Sequence, residues 1–223
     1  FQEVIDLKPN IAFVTNPTSF HIPSAKIMVE NFIPCFMEKP ISNTNTGVND
    51  LLKLSRINST EVMVGFMMRF HPQAIKIKEF LNKGLAGRVY SVTVNVNSFM
   101  PSWHSYESYK DLYASRKDLG GGVILTESHE IDLLHWFFEE TKLLNIVGGK
   151  FSSLEMDVED NTTLLLEQNY LGKSFPSTMQ LSFVQKDPIR KFLLLSEKAV
   201  IEWDITDSYL KISTDKKHSL EEK

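Results

Sequence analysis

Two short stretches carry residue types suited to proton chemistry. The first is Glu38-Lys39-Pro40, which closes an apolar run with adjacent opposite charges and a ring that fixes φ and removes an N–H donor. Facing a cleft, Lys39 could have its basicity tuned by neighbouring charge and desolvation and so move a proton. The same tripeptide also fits an ordinary exposed turn. The second is Thr126-Glu127-Ser128-His129-Glu130-Ile131-Asp132, directly after Gly120-Gly121-Gly122. Three glycines allow close backbone approach. The helix expected after them is apolar around most of its circumference, leaving His129, Asp132, His135 and Glu139 in a narrow sector shared with Trp136. An unperturbed imidazole has its pKa near neutrality, so His129 is of a residue type suited to a general acid or base. A core helix whose polar edge meets water would read the same way.

Other residues fit ligand binding. Arg69 and His71 flank Phe70 before Pro72 and could hold an anionic or hydroxyl-rich group. Trp103, Tyr106 and Tyr109 could stack on a sugar or a nicotinamide ring, or pack on their own sheet. His129, Asp132, His135 and Glu139 lack the two-histidine i, i+4 spacing of a zinc helix, and no His or Cys cluster elsewhere completes a set, so we expect no metal. No Gly-x-Gly-x-x-Gly phosphate loop occurs in the sequence.

These residues need elements to position them. Ile11–Val14 and Ile33–Met37 are continuous apolar runs, as buried parallel strands show, with a helix between them over Ser24–Asn31. The polar loop Thr15–Ser19 follows the first run, where such strands meet ligands. A helix over Thr46–Asn58, a strand over Val62–Met68 and a helix from Pro72 to Gly84 come next. From Arg88 the period changes: Tyr90, Val92, Val94 and Val96 alternate with Val89, Ser91, Thr93 and Asn95. Beyond Asn145 the pattern predicts a β-meander of strands Asn145–Phe151, Asn161–Tyr170, Ser177–Gln185, Lys191–Leu195, Ala199–Asp204 and Tyr209–Ser213. The expected fold is an α/β Rossmann remnant, residues 1–60, joined to an α+β domain with a large, mostly antiparallel mixed sheet, residues 61–223. The break falls near Pro40–Gly65.

Composition narrows the classes. The chain has 223 residues, enough to bury a substantial core, with 42% hydrophobic and 23% charged residues, which excludes a disordered or collagen-like chain. A net charge of −4, with basic residues gathered into nothing longer than pairs such as Lys216-Lys217, argues against a nucleic-acid partner. No apolar run reaches transmembrane length, so no membrane partner is expected. The lone Cys35 cannot form an internal disulfide and fits a reducing cytoplasm as a structural thiol. The start at Phe1 and the charged stretch Lys216–Lys223 suggest a fragment of a longer chain.

Taken in order, these motifs resemble the glucose–fructose oxidoreductase and inositol 2-dehydrogenase family, the Gfo/Idh/MocA oxidoreductases. Ile11–His21 is similar to the family's fourth Rossmann strand with its Thr-Pro-x-x-x-His loop, and Phe36–Pro40 to its Glu-Lys-Pro signature. Gly65–Pro72 resembles its Gly-x-Asn-x-Arg-Phe-x-Pro strand, and Ser115–Trp136 its Arg-x-x-x-Gly-Gly-Gly and His-x-x-Asp-x-x-x-Trp helix.

The resemblance implies an NAD(P)-dependent dehydrogenase that moves a hydride between nicotinamide and a hydroxyl carbon of a sugar, nucleotide sugar or cyclitol. It assigns catalysis to Lys39 and His129. Thr15, Asn16, Pro17, His21, Glu38, Lys39 and Pro40 would lie along NAD or NADP. Arg69, Trp103, Tyr106, Arg116 and Glu127 would lie near the substrate. Homo-oligomers would form through the second domain's sheet. The chain departs from the family pattern at Met67, where many members have Asn, and at Thr126, where many have Asp. It also lacks the glycine-rich fingerprint, so a non-catalytic sugar-binding or oligomer-forming remnant is the alternative.

Overall fold

The computed structural model describes residues 1–214 and 220–222. The Lys216-Lys217 pair lies outside them, as do residues 218, 219 and 223 of the charged stretch that follows. The chain divides into two compact units.

The first unit comprises Phe1–Phe66, Lys110–Ser128 and Glu155–Val158. Its centre is a parallel sheet of β1 (Ala12–Val14), β2 (Cys35–Met37) and β3 (Val62–Val64), in that order. Registers run Val14↔Met37 and Met37↔Val64. Helices α1 (Gln2–Asp6), α2 (His21–Glu30) and α3 (Val48–Asn58) belong to the same unit, and α2 packs on α3. Val14, Ala25, Met28, Val29, Cys35, Met37 and Leu51 form its core. Each buried Val, Leu or Met side chain among them contributes roughly 1.5–3 kcal/mol.

The strand expected over Val62–Met68 stops at Val64. The Phe66 amide turns back onto the Val64 oxygen (2.9 Å), and Met67–Phe70 forms a 3-10 turn. β3 completes the parallel sheet through its pairing with β2, so the first unit runs past residue 60 to Phe66.

The second unit comprises Met67–Tyr109, His129–Leu154 and Glu159–Lys223. Its sheet holds β4 (Val89–Phe99), β5 (Glu140–Gly149), β6 (Asn161–Tyr170), β7 (Lys173–Ser182), β8 (Val184–Ser196), β9 (Ala199–Asp204), β10 (Tyr209–Thr214) and β11 (Leu220–Glu222). The order is β11-β10-β9-β8-β4-β7-β6-β5. The meander is therefore interrupted: β4 lies between β7 and β8, parallel to the first and antiparallel to the second. The crossing occurs at Phe183, which is fully buried. Its amide donates to the Asp160 oxygen (2.8 Å), and its own oxygen accepts from Met100 (3.0 Å).

The alternation of β4 also differs from expectation at its start. A register shift between Val89 and Ser91 buries Val89 and leaves Tyr90 52% exposed, because one extra residue inverts the faces. Helices α4 (Pro72–Asn82), α5 (Val123–Thr126) and α6 (Ser128–Phe137) complete the fold. The single helix expected after the glycines is thus two, broken at Glu127, and the division between units falls after Ser128. Phe137, the last residue of α6, meets Phe192 edge-on at 5.6 Å and the following Phe138 meets Phe175 at 5.0 Å, which seats the helix on the sheet. Among the described residues no helix is long and apolar enough to cross a membrane.

Candidate active site

In the first unit, β1 and β2 end level with one another, and the Glu38 amide donates to the Val14 oxygen at 2.9 Å. This sets Thr15-Asn16-Pro17 beside Glu38-Lys39-Pro40 at the carboxyl ends of parallel strands, where α/β sheets bind ligands. Thr15 is exposed, while Asn16, Glu38 and Lys39 are half-buried. The Lys39–Pro40 peptide is cis. His21 is fully buried, its two ring nitrogens lying 2.7 Å from the Pro40 oxygen and 2.8 Å from the Asn16 oxygen. It therefore contacts the two loops rather than an open surface.

The glycine run serves close packing. Gly120 takes φ +80°, and a Cβ there would lie 2.9 Å from side-chain atoms of Thr18 and Asn43. At Gly121 a Cβ would fall 2.4 Å from the Tyr113 oxygen. This turn leads into α5, whose last residue presents its carbonyl to Lys39: Nζ donates to the Thr126 oxygen at 2.5 Å. Tyr113, in the same unit, has its phenol pushed to higher pKa by burial and then by the Glu127 carboxylate. Glu127 is half-buried. Arg116 is exposed and engaged by its near neighbour Asp118 at 2.6 Å.

In the second unit, His129 occupies the start of α6 and is 8% exposed. One turn on, Asp132 accepts two bonds from Arg69, Nε at 2.8 Å and a terminal nitrogen at 2.6 Å. This bond raises the Arg69 pKa further and fixes the guanidinium as a fork. Glu130, buried, holds Arg190 of β8 at 2.7 Å. His71 caps α4, accepting from the Gln73 amide at 3.3 Å, and burial followed by the Arg190 charge lowers its pKa.

The aromatic loop divides. Trp103 donates to Ser98 (3.0 Å) and meets Phe183 edge-on at 5.1 Å. Tyr106 is 80% exposed and stacks with His104 at 5.1 Å. Among the described residues no group of three or more His, Cys, Asp or Glu could hold a metal ion.

Of the residues singled out from sequence, the first unit brings together Thr15, Asn16, Pro17, His21, Glu38, Lys39 and Pro40. Residue order gave no role to Tyr113, the Thr126 carbonyl or the Glu130–Arg190 pair. The pair joins residues 60 apart in sequence, and a carbonyl carries no residue-type signal.

The profile of the GFO/IDH/MocA C-terminal domain matches residues 74–188, just over half of the chain. A Bacillus subtilis protein named as an oxidoreductase, YteT, is 28% identical over 130 residues, covering 58% of this chain and 30% of that protein. Among solved structures, an inositol dehydrogenase homologue complexed with NAD+ from Azotobacter vinelandii superposes with a TM-score of 0.84. It is 15% identical, with 100% of this chain and 60% of that chain covered. The WlbA dehydrogenase of Bordetella pertussis, in complex with NADH and UDP-GlcNAcA, gives a TM-score of 0.80 at 17% identity, covering 91% of this chain and 62% of that one. The present chain thus spans about a third of the curated relative and three fifths of these structures.

Proposed function

Because the chain belongs to the GFO/IDH/MocA family, we propose that it acts in an NAD(P)-dependent oxidoreductase. Hydride would move between the nicotinamide and a hydroxyl carbon of a sugar, nucleotide sugar or cyclitol. The carrying observation is the Lys39 amine, held on the Thr126 oxygen at the carboxyl end of a parallel strand. In this reading, residues 1–60 with β3 are the C-terminal part of a Rossmann domain. Residues 61–223 supply the proposed substrate contacts.

The residues present fit the nicotinamide end of a dinucleotide. The buried Oδ1 of Asn16 has no hydrogen-bond partner among the described residues, while its Nδ2 donates to Ser24. A buried acceptor of this kind calls for a donor from a ligand. Thr15, Asn16, Pro17, Glu38 and Lys39 would line that end, with His21 and Pro40 behind them. When bound, the cofactor supplies the hydride chemistry; the protein positions the reactants and handles the proton. His129 exchanges the hydroxyl proton and Lys39 stabilises the oxygen as its charge changes. Arg69, Trp103, Tyr106, Arg116 and Glu127 are the proposed substrate side. Of these, Arg69 is the best prepared, since Asp132 fixes its orientation.

Exposed Leu143, Ile146 and Val147 on β5, with Leu165 on β6 and Leu193 and Leu195 on β8, support a homo-oligomer formed through the sheet. The single buried thiol, Cys35, suits a cytoplasmic location. Titration of the full-length protein with NADH and NADPH, followed by fluorescence, tests the reading. Saturable binding of one of them is expected. Binding of neither would sink it.

A further inference from the structure

His21 is 1% exposed, and both of its ring nitrogens face main-chain oxygens. Nδ1 lies 2.7 Å from the Pro40 oxygen and Nε2 lies 2.8 Å from the Asn16 oxygen. These oxygens belong to the two loops that leave neighbouring parallel strands. One loop carries Asn16, and the other carries Glu38 and Lys39. A carbonyl oxygen accepts and never donates, so each contact requires an N–H from the ring. The neutral ring supplies one and the imidazolium supplies both. The Pro40 oxygen belongs to the residue after Lys39, and the Lys39 amine in turn is bonded to the Thr126 oxygen. A chain of three contacts thus runs from Asn16 through His21 and the Lys39-Pro40 segment to Thr126, all within one compact unit.

We propose that His21 is a positioning residue for Lys39. It staples the Asn16 loop to the Pro40 carbonyl, and this holds the lysine stem at the distance from which its amine reaches the Thr126 oxygen. His21 therefore does not touch the cofactor. Its part in turnover rests on the oxidoreductase reading above; the stapling does not.

The position of Lys39 can be read without any substrate. Full-length protein would be acetylated with a water-soluble N-hydroxysuccinimide acetate, and labelling at Lys39 measured by peptide mass spectrometry relative to exposed Lys53. His21→Ala should speed Lys39 labelling about 2–10-fold, the worth of one hydrogen bond, with Lys53 unchanged. His21→Asn places an amide nitrogen where Nδ1 stands, so it keeps the Pro40 bond and should restore the slow rate. Should the alanine variant not fold, His21→Gln, which reaches towards Asn16 but not Pro40, takes its place and should label fast.

Equal Lys39 rates in the wild type and in the folded Ala or Gln variant overturn the staple. So does an Asn variant that labels as fast as they do. NADH affinity is measured in parallel. Altered labelling in a protein that binds no nicotinamide cofactor keeps the staple and removes the oxidoreductase reading. Unaltered labelling in a protein that binds NADH does the reverse.

Discussion

The Lys39 ammonium donates to the main-chain oxygen of Thr126 at 2.5 Å, joining positions 87 residues apart. Because the acceptor is main chain, the anchor does not depend on the side chain at 126. Threonine can stand there, where the family resemblance led us to expect aspartate, without freeing the lysine. Lys39→Met keeps the apolar stem and removes the charge and the bond. In the proposed reaction it should lower turnover roughly 10²–10⁴-fold, as should His129→Ala, with the far-UV circular dichroism unchanged. Steady-state rates on an identified substrate decide the matter; wild-type turnover in either variant removes that residue from the proton path.

The turn before α5 depends on the absence of a side chain at Gly121. A Cβ there would sit 2.4 Å from the Tyr113 oxygen and 2.5 Å from the Ala114 oxygen, both main chain and unable to yield as a flexible side chain does. Gly121→Ala should therefore destabilise the protein by about 1–3 kcal/mol or more. Chemical denaturation would show a lower midpoint. Gly172→Ala serves as the comparison, since nothing lies within 4 Å of its Cβ position, although its φ of +69° adds local strain.

Asp132 is buried and receives both arms of the Arg69 fork. Asp132→Ala should cost about 1.5–3 kcal/mol, towards the lower figure because the Arg69 side chain is 38% exposed and water can replace part of the loss. Arg69→Lys should recover part of the charge interaction but not the paired geometry. An unchanged urea midpoint for Asp132→Ala would mean that the pair orients Arg69 without adding stability.

His71 gives a pH dependence with a definite sign. Burial and then Arg190 hold its folded pKa below the ordinary 6.5, so the folded state resists protonation more than the unfolded chain does. The stability linked to the neutral ring is fully present above about pH 6.5 and is lost as the pH falls through the folded value. Part of the decline in the urea midpoint between about pH 7 and pH 5 should disappear in His71→Gln. An identical decline in the variant would assign it to other groups. Asp160 acts in the same direction at lower pH: the amides of Phe151 and Ser152 and the Ser152 hydroxyl hold its carboxylate below the usual range against burial, and that contribution goes as acid protonates it.

Much of the site was legible from residue order because its parts follow local rules. Apolar runs marked β1 and β2, and polar loops after them marked Thr15–Pro17 and Glu38–Pro40, since a buried strand and its exposed end differ in composition. The glycine run and His129 were visible for the same reason. Other features depended on which distant main-chain atoms meet. Sequence placed His21 among the cofactor contacts; the fold turns both of its nitrogens onto carbonyl oxygens, which no residue pattern encodes. Sequence predicted an unbroken meander; β4 enters between β7 and β8, where its main chain pairs on both edges and its Val92, Val94 and Val96 are buried. Sequence offered Arg69 to a ligand and Asp132 only as one of a polar helix edge, while the fold joins them across 63 residues. Periodicity and residue type thus determined the elements and the loops that carry chemistry. Tertiary structure alone chose their partners, since hydrogen bonds between distant segments form only once the packed elements bring donor and acceptor within about 3 Å.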